Sequence, residues 1–220
     1  MLLATVSAGV AKAGATTFFT DLPGFSQYES LGIGVYGALN VVFAEPFTAA
    51  STANLAGATL ALGNYSGSNT PITLDLESDA SGMPGSVLAS LTQQGAIPQY
   101  GTPGPVTFNY NGAAVQLISG ATYWLVAVET DPNSEQAWFL SNGAMGIDAF
   151  NYDGSATGPW TAGCPPGQGC SDSLAAFEVD GTTPTTPPIT TVPEPCSLLL
   201  FGLALMIPAA VVRRRMAKGL

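Results

Sequence analysis

This chain of 220 residues has no histidine, and between Lys12 and Arg213 it has neither lysine nor arginine. These absences exclude a great deal. Without imidazole there is no Ser-His-Asp or Cys-His catalysis, no histidine general base and no histidine-bound zinc or copper. Without interior cations there is no lysine nucleophile, no arginine fork for phosphate or carboxylate ligands, and no surface for nucleic acid. The fifteen acidic residues all lie between Asp21 and Glu194. Side-chain ion pairs within that stretch are therefore impossible, and stability has to come from apolar burial and backbone hydrogen bonds. The chemistry left is that of carboxylates: a paired-acid glycosidase, or a hard cation such as Ca2+ held by oxygen ligands. No other cofactor is implied.

Long helical periodicity is also missing between residues 16 and 180. Short apolar or alternating runs recur instead, separated by Gly, Pro, Asn and Ser. Strands are expected at 40–43, 58–62, 72–77, 86–91, 106–110, 114–118, 122–130, 137–140, 146–152 and 174–179. Ile72-Thr-Leu-Asp-Leu-Glu77 alternates with period two, and Tyr123-Trp-Leu-Val-Ala-Val-Glu129 reads as a strand buried on both faces. Ten short strands with turns between them predict an all-β domain, a two-sheet antiparallel β-sandwich of jelly-roll-like topology. About 180 residues between the chain ends suffice for one such core.

Within that domain the candidate sites are few. Asp131, Asn133 and Glu135 are spaced as the first oxygens of a calcium loop, but Gln136 stands where that loop needs glycine and Asn142 where it needs glutamate; an acidic turn between strands accounts for them better. Asp75, Glu77 and Asp79 share one strand face, expected to be solvated. Trp124 is expected in the core. Trp138 and Trp160 lie near loops, where an indole could stack on a sugar. Cys164 and Cys170 flank a Pro/Gly-rich loop and read as a local disulfide if the chain is exported.

The ends carry the functional signal. Residues 1–15 form a short apolar stretch with small-residue cleavage sites near Ala13 and Ala15, expected to be a truncated signal peptide. Residues 181–192 are rich in threonine and proline and read as an extended stalk. Val192-Pro193-Glu194-Pro195 then precedes an apolar run, Cys196 to Val212, and the basic stop Arg213-Arg214-Arg215. Seventeen helical residues rise roughly 25 Å, at the short end of a transmembrane span, and the arginines set the orientation, cytoplasmic after Val212.

This tail resembles the PEP-CTERM sorting signal of Gram-negative bacteria, through Pro193, Glu194 and Pro195, the helix and Arg213–Arg215. The resemblance implies processing by an exosortase, an integral-membrane protease or transpeptidase that cuts near the motif and releases the domain to the cell surface or an exopolysaccharide (biofilm) matrix. Cys196, following the motif, could lie in the membrane interface, carry a lipid or mark the cleavage region. The body resembles the choice-of-anchor modules, the R type in particular, through Asp79-Ala-Ser-Gly-Met-Pro-Gly-Ser-Val-Leu88, Leu117-Ile-Ser-Gly-Ala-Thr-Tyr-Trp-Leu-Val-Ala127 and Ala175-Ala-Phe-Glu-Val-Asp-Gly181. That family implies a β-sandwich and supplies no catalytic residues. The expectation is a non-enzymatic, exported structural or adhesive protein; the alternative is a carbohydrate-binding module, and a carboxylate glycosidase ranks third.

Overall fold

The computed structural model describes residues 15–26, 29–36, 39–163 and 173–184. The signal-peptide segment up to residue 14, Cys164, Cys170, the stalk from residue 185, the sorting motif and the arginines lie outside the described residues. All described residues belong to one compact unit, ending at Pro184. They are all-β and antiparallel, as the spacing predicts, and no described helix is long and apolar enough to cross a membrane.

The strands are β1 (Thr16–Thr20), β2 (Ser30–Tyr36), β3 (Leu39–Thr48), β4 (Ala53–Ser66), β5 (Thr73–Asp79), β6 (Pro84–Gln94), β7 (Gly104–Asn109), β8 (Gln116–Leu117), β9 (Thr122–Val128), β10 (Glu135–Met145), β11 (Ala149–Asn151), β12 (Thr161–Ala162), β13 (Ser173–Ala175) and β14 (Phe177–Thr182). Their composition accounts for them. β9 has only aromatic and aliphatic residues after Thr122, with no breaker. β5 and β6 are joined through a two-residue turn in which Ala80 N–H donates to Met83 C=O at 2.8 Å. Its central Ser81 and Gly82 both have positive φ, 62° and 83°. A mirror-type hairpin turn requires that pair.

The pairing β4-β7-β6-β5-β9-β3-β2-β10 returns to β4, so the ladder closes into a ring of eight strands. In place of the two separate sheets expected, the ladder forms one closed barrel. β3 pairs with β2 through Leu39–Val41 and with β9 through Phe43–Thr48. β6 likewise turns from β5 to β7 at Thr92. Closure leaves no free edge on the ring, which removes the main aggregation liability of an open sheet.

The ring interior is the core. Phe43, Phe108, Trp138, Phe177, Leu31, Ile33, Leu60, Leu62, Leu74, Leu76 and Leu125 are buried there, each contributing roughly 1.5–3 kcal/mol of apolar burial. A second layer covers one outer face, where Trp124, Val126, Val128, Val42, Ala44 and Ala149 pack beneath Met83, Ala156 and Trp160. β9 is therefore buried on both faces, as its sequence indicates.

β10 and β4 pair only through Glu135–Trp138 and then part. The last two strands fill the gap: β13 pairs with β10, and β14 pairs with β4. β1 adds to the far edge of β14. β14 continues through Thr182, so Gly181 and Thr182 belong to the sheet and not to the stalk that composition assigned them to.

Candidate functional site

β3 alternates so that Phe43, Glu45 and Phe47 face inward, opposite Ala127, Leu125 and Tyr123 of β9. Glu45 is thus a carboxyl inside the apolar ring, wholly buried. Pro46 is tolerated beside it because β11 pairs with β3 only through Val42–Ala44, so no ladder bond is lost at residue 46. Glu45 Oε1 accepts the Ala175 N–H at 3.0 Å. Asp21, just past β1, accepts the Phe177 N–H on Oδ1 at 2.7 Å and returns its own N–H to the Phe177 carbonyl at 3.0 Å. Asp148 precedes Ala149, which is paired with Ala44, and so stands beside Glu45. Asp21 Oδ2 and Glu45 Oε2 are buried without a partner among the described residues.

Burial pushes the Asp21 and Asp148 carboxyls up to about 6. Glu45 is driven well above the usual carboxylate range, by burial first and then by Asp148 and Asp21. A groove of about 510 Å³, lined in part by Phe19, Thr20, Asp21 and Ser141, opens at this mouth of the ring. A second of about 340 Å³ adjoins it across Phe19 and Ala144, with Phe47, Met145 and Leu174 in its walls. Rigid aromatics frame the mouth: Phe19 stacks on Phe177 at 4.8 Å, and Phe47 meets Phe177 edge-on at 6.0 Å. A bulge between Thr17 and Phe19 lets Phe18 and Phe19 both face the core.

The sequence-derived sites fare differently. Asp75 and Glu77 do share a face, but that face is not solvated: Glu77 is 0% exposed and Asp75 is buried. Glu77 sits opposite Trp124 and Asp75 opposite Val126, in the row that the second layer covers. Period-two alternation identifies which residues share a face and not what lies over it. Burial, with Asp75 next to it, lifts Glu77 to about 7, and both its oxygens lack partners among the described residues. Asp79 is exposed at the hairpin, where its carboxylate takes the Gly82 N–H at 3.1 Å and the Trp124 indole N–H at 2.9 Å.

Asp131 and Asn133 lie in one tight turn, with Asp131 accepting the Asn133 N–H at 2.9 Å and the Ser68 hydroxyl. These bonds hold its carboxyl below its ordinary value. Glu135 begins β10, where burial raises it instead. Asp131 and Asn133 thus share the turn and Glu135 opens the strand beyond it, and no three acidic or cysteine side chains among the described residues are grouped to hold a metal ion. Beside this turn Glu129 is buried and fully used, accepting from Thr70, the Asp131 N–H and Gln136.

Trp138 is overturned as a sugar platform. It is 0% exposed, because β10 turns it into the ring interior, and its indole N–H donates to the Ala176 carbonyl at 3.0 Å. Trp160 is half-buried against the second layer. Among the described residues the exposed aromatic is Tyr65, 57% accessible and edge-on to Tyr100 at 4.9 Å, with Tyr100 against buried Phe139 at 5.4 Å. Sequence reasoning missed Asp21, Glu45 and Asp148, although Val-Val-Phe-Ala-Glu45-Pro-Phe carried a signal, a lone acid within an apolar strand. No family model matches this chain, and no curated protein matches it.

Proposed function

We propose that this chain is an exported cell-surface or exopolysaccharide-matrix protein, sorted by an exosortase, with a structural or adhesive role and no catalysis of its own. The observation that carries this reading is the three-part tail: Val192-Pro193-Glu194-Pro195, the apolar run to Val212, and Arg213-Arg214-Arg215. Its independent parts are a rigid motif, a membrane-length segment and a basic stop. An acidic domain without a single interior cation suits a hydrated, cation-rich exterior. We take the closed ring as flattened, with β3 and β6 as its two rounded edges, which keeps the jelly-roll-like sandwich and the choice-of-anchor resemblance together. Fractionation of cells with and without the exosortase tests the sorting. Tail-less protein outside wild-type cells and full-length membrane protein in the deletion are expected; a cytosolic location in both, or full-length protein persisting in wild type, overturns it.

One observation favours a second reading, a carbohydrate-binding module. Tyr65 presents an accessible ring braced by Tyr100 and Phe139, and such a ring loses little entropy on stacking against a sugar. An exopolysaccharide array separates the readings. Retention lost in Tyr65→Ala supports the module, sugar release marks a carboxylate glycosidase, and no retention leaves the structural role.

A further inference from the structure

We propose that Asp21, Glu45 and Asp148 form a proton-operated latch on the last two strands: protonated, they lie together against the Ala175 and Phe177 amides without repelling one another, and on losing their protons their mutual repulsion drives them apart and lets β13, β14 and the attached β1 loosen. The inference is independent of how the chain is sorted. Its basis is geometric. A wholly buried carboxyl, Glu45, and a half-buried one, Asp21, each take one backbone N–H from the strand pair that wedges between β4 and β10. A third acid stands beside one of them.

Among the described residues there is no lysine, arginine or histidine to neutralise these groups. The neutralising species comes from outside them. Glu45 and Asp21 bond amides on different strands, the Ala175 N–H of β13 and the Phe177 N–H of β14. The three acids form no metal-holding group, so protons taken one at a time are the fitting species. The other titratable groups nearby do not oppose this. Glu178 and Asp180 of β14 receive the Thr17 hydroxyl on the exposed face. Tyr123 of β9 accepts the Ile118 N–H, and the adjoining stretch of β10, Leu140 to Met145, has no titratable side chain. Burial raises all three carboxyls, Asp21 and Asp148 to about 6, which places the change near neutrality. Once ionised in low-dielectric surroundings, neighbouring carboxylates repel strongly.

Amide hydrogen exchange on the full-length chain in detergent, corrected for intrinsic rates, tests the latch. Between pH 5 and pH 8 the protection of Ala175 and Phe177 should fall at least tenfold more than that of the β5 and β9 ladder amides. Glu45→Gln keeps the carbonyl acceptor and removes the charge; it should abolish that excess loss. Asp148→Asn should reduce it, and serves alone if the first variant does not fold. Equal loss across all strands, no loss at β13–β14, or an unchanged pH response in the variants overturns the latch. So does recovery of protection at pH 8 with calcium but not with magnesium at equal ionic strength, which would put a metal ion in place of the proton.

Discussion

The Trp138 indole N–H donates to the Ala176 carbonyl at 3.0 Å, across the point where β10 and β4 part. The same carbonyl accepts the Ala61 N–H at 3.1 Å, and the Ala176 N–H goes to Phe139 at 2.8 Å. One residue between β13 and β14 thus ties together both arms of the fork. The indole also meets Phe177 edge-on at 6.1 Å.

Trp138→Phe removes that hydrogen bond and part of a fully buried ring. The expected cost is about 2 kcal/mol, from the lost bond and the cavity together. For a domain of this size that lowers Tm by roughly 4–8 °C. Calorimetry checks the shift, and loss of a blue-shifted fluorescence component confirms which tryptophan was removed. An unchanged Tm would mean that Trp138 does not pin the fork.

Acidity is expected to stabilise this domain. Asp21 and Asp148 titrate at about 6 and Glu77 at about 7 in the folded state, and Asp75 and Glu45 are raised too, all chiefly by burial. In the unfolded chain such groups titrate near 4. The folded state therefore binds more protons between about pH 4 and pH 7, so stability falls as pH rises through that window. Tm should be higher at pH 5 than at pH 8. Sodium chloride should raise it more at pH 8, where the screened repulsion is larger. A Tm that climbs from pH 5 to pH 8 would contradict the burial of these carboxyls.

Gly34 and Gly82 make a matched pair. Both have positive φ, 99° and 83°. A Cβ at Gly34 would meet the Ser134 carbonyl at 2.5 Å and Glu129 side-chain carbons at 2.9 Å, whereas one at Gly82 meets nothing within 4 Å. Gly82→Ala should cost about 1 kcal/mol, from the left-handed backbone alone. Gly34→Ala adds a clash with the Glu129 network and should cost about 3 kcal/mol or more. Urea unfolding of both variants measures the difference, and equal costs would refute the crowding at Gly34.

Calcium should raise Tm no more than magnesium does at equal ionic strength. The Asp131 carboxylate is already engaged by the Ser68 hydroxyl and the Asn133 N–H, and Glu135 lies on the strand beyond. A shift particular to calcium would place an ion site in that turn.

Strands fall in all ten stretches expected from the sequence, because β-branched and aromatic runs ended by glycine and proline turns are local signals, but 114–118 keeps only the two-residue β8 and 174–179 is broken at Ala176 into β13 and β14. Their lengths were less legible. β4 passes through Gly57, Gly63 and Asn64, which resemble a strand end; yet Gly63 is small because a Cβ there would strike Phe139 at 2.9 Å. β2 alternates Gly32 and Gly34 with its apolar residues and so lacks the bulk that marks a strand. Neither Trp138 nor Glu77 could be placed by pattern, since each depends on which layer lies across from it. The acids at the mouth come from three separated stretches of chain, and the pairing of β11 with β3 and of β1 with β14 brings them to one place.

β14 lies between β4, with six paired residues, and β1, with four. Any tension applied to the chain beyond Pro184 enters the domain through this strand. A pull along its axis loads two ladders in shear at once, instead of peeling one edge open pair by pair. A load entering there is shared by both ladders, and releasing β1 would halve the number that bear it.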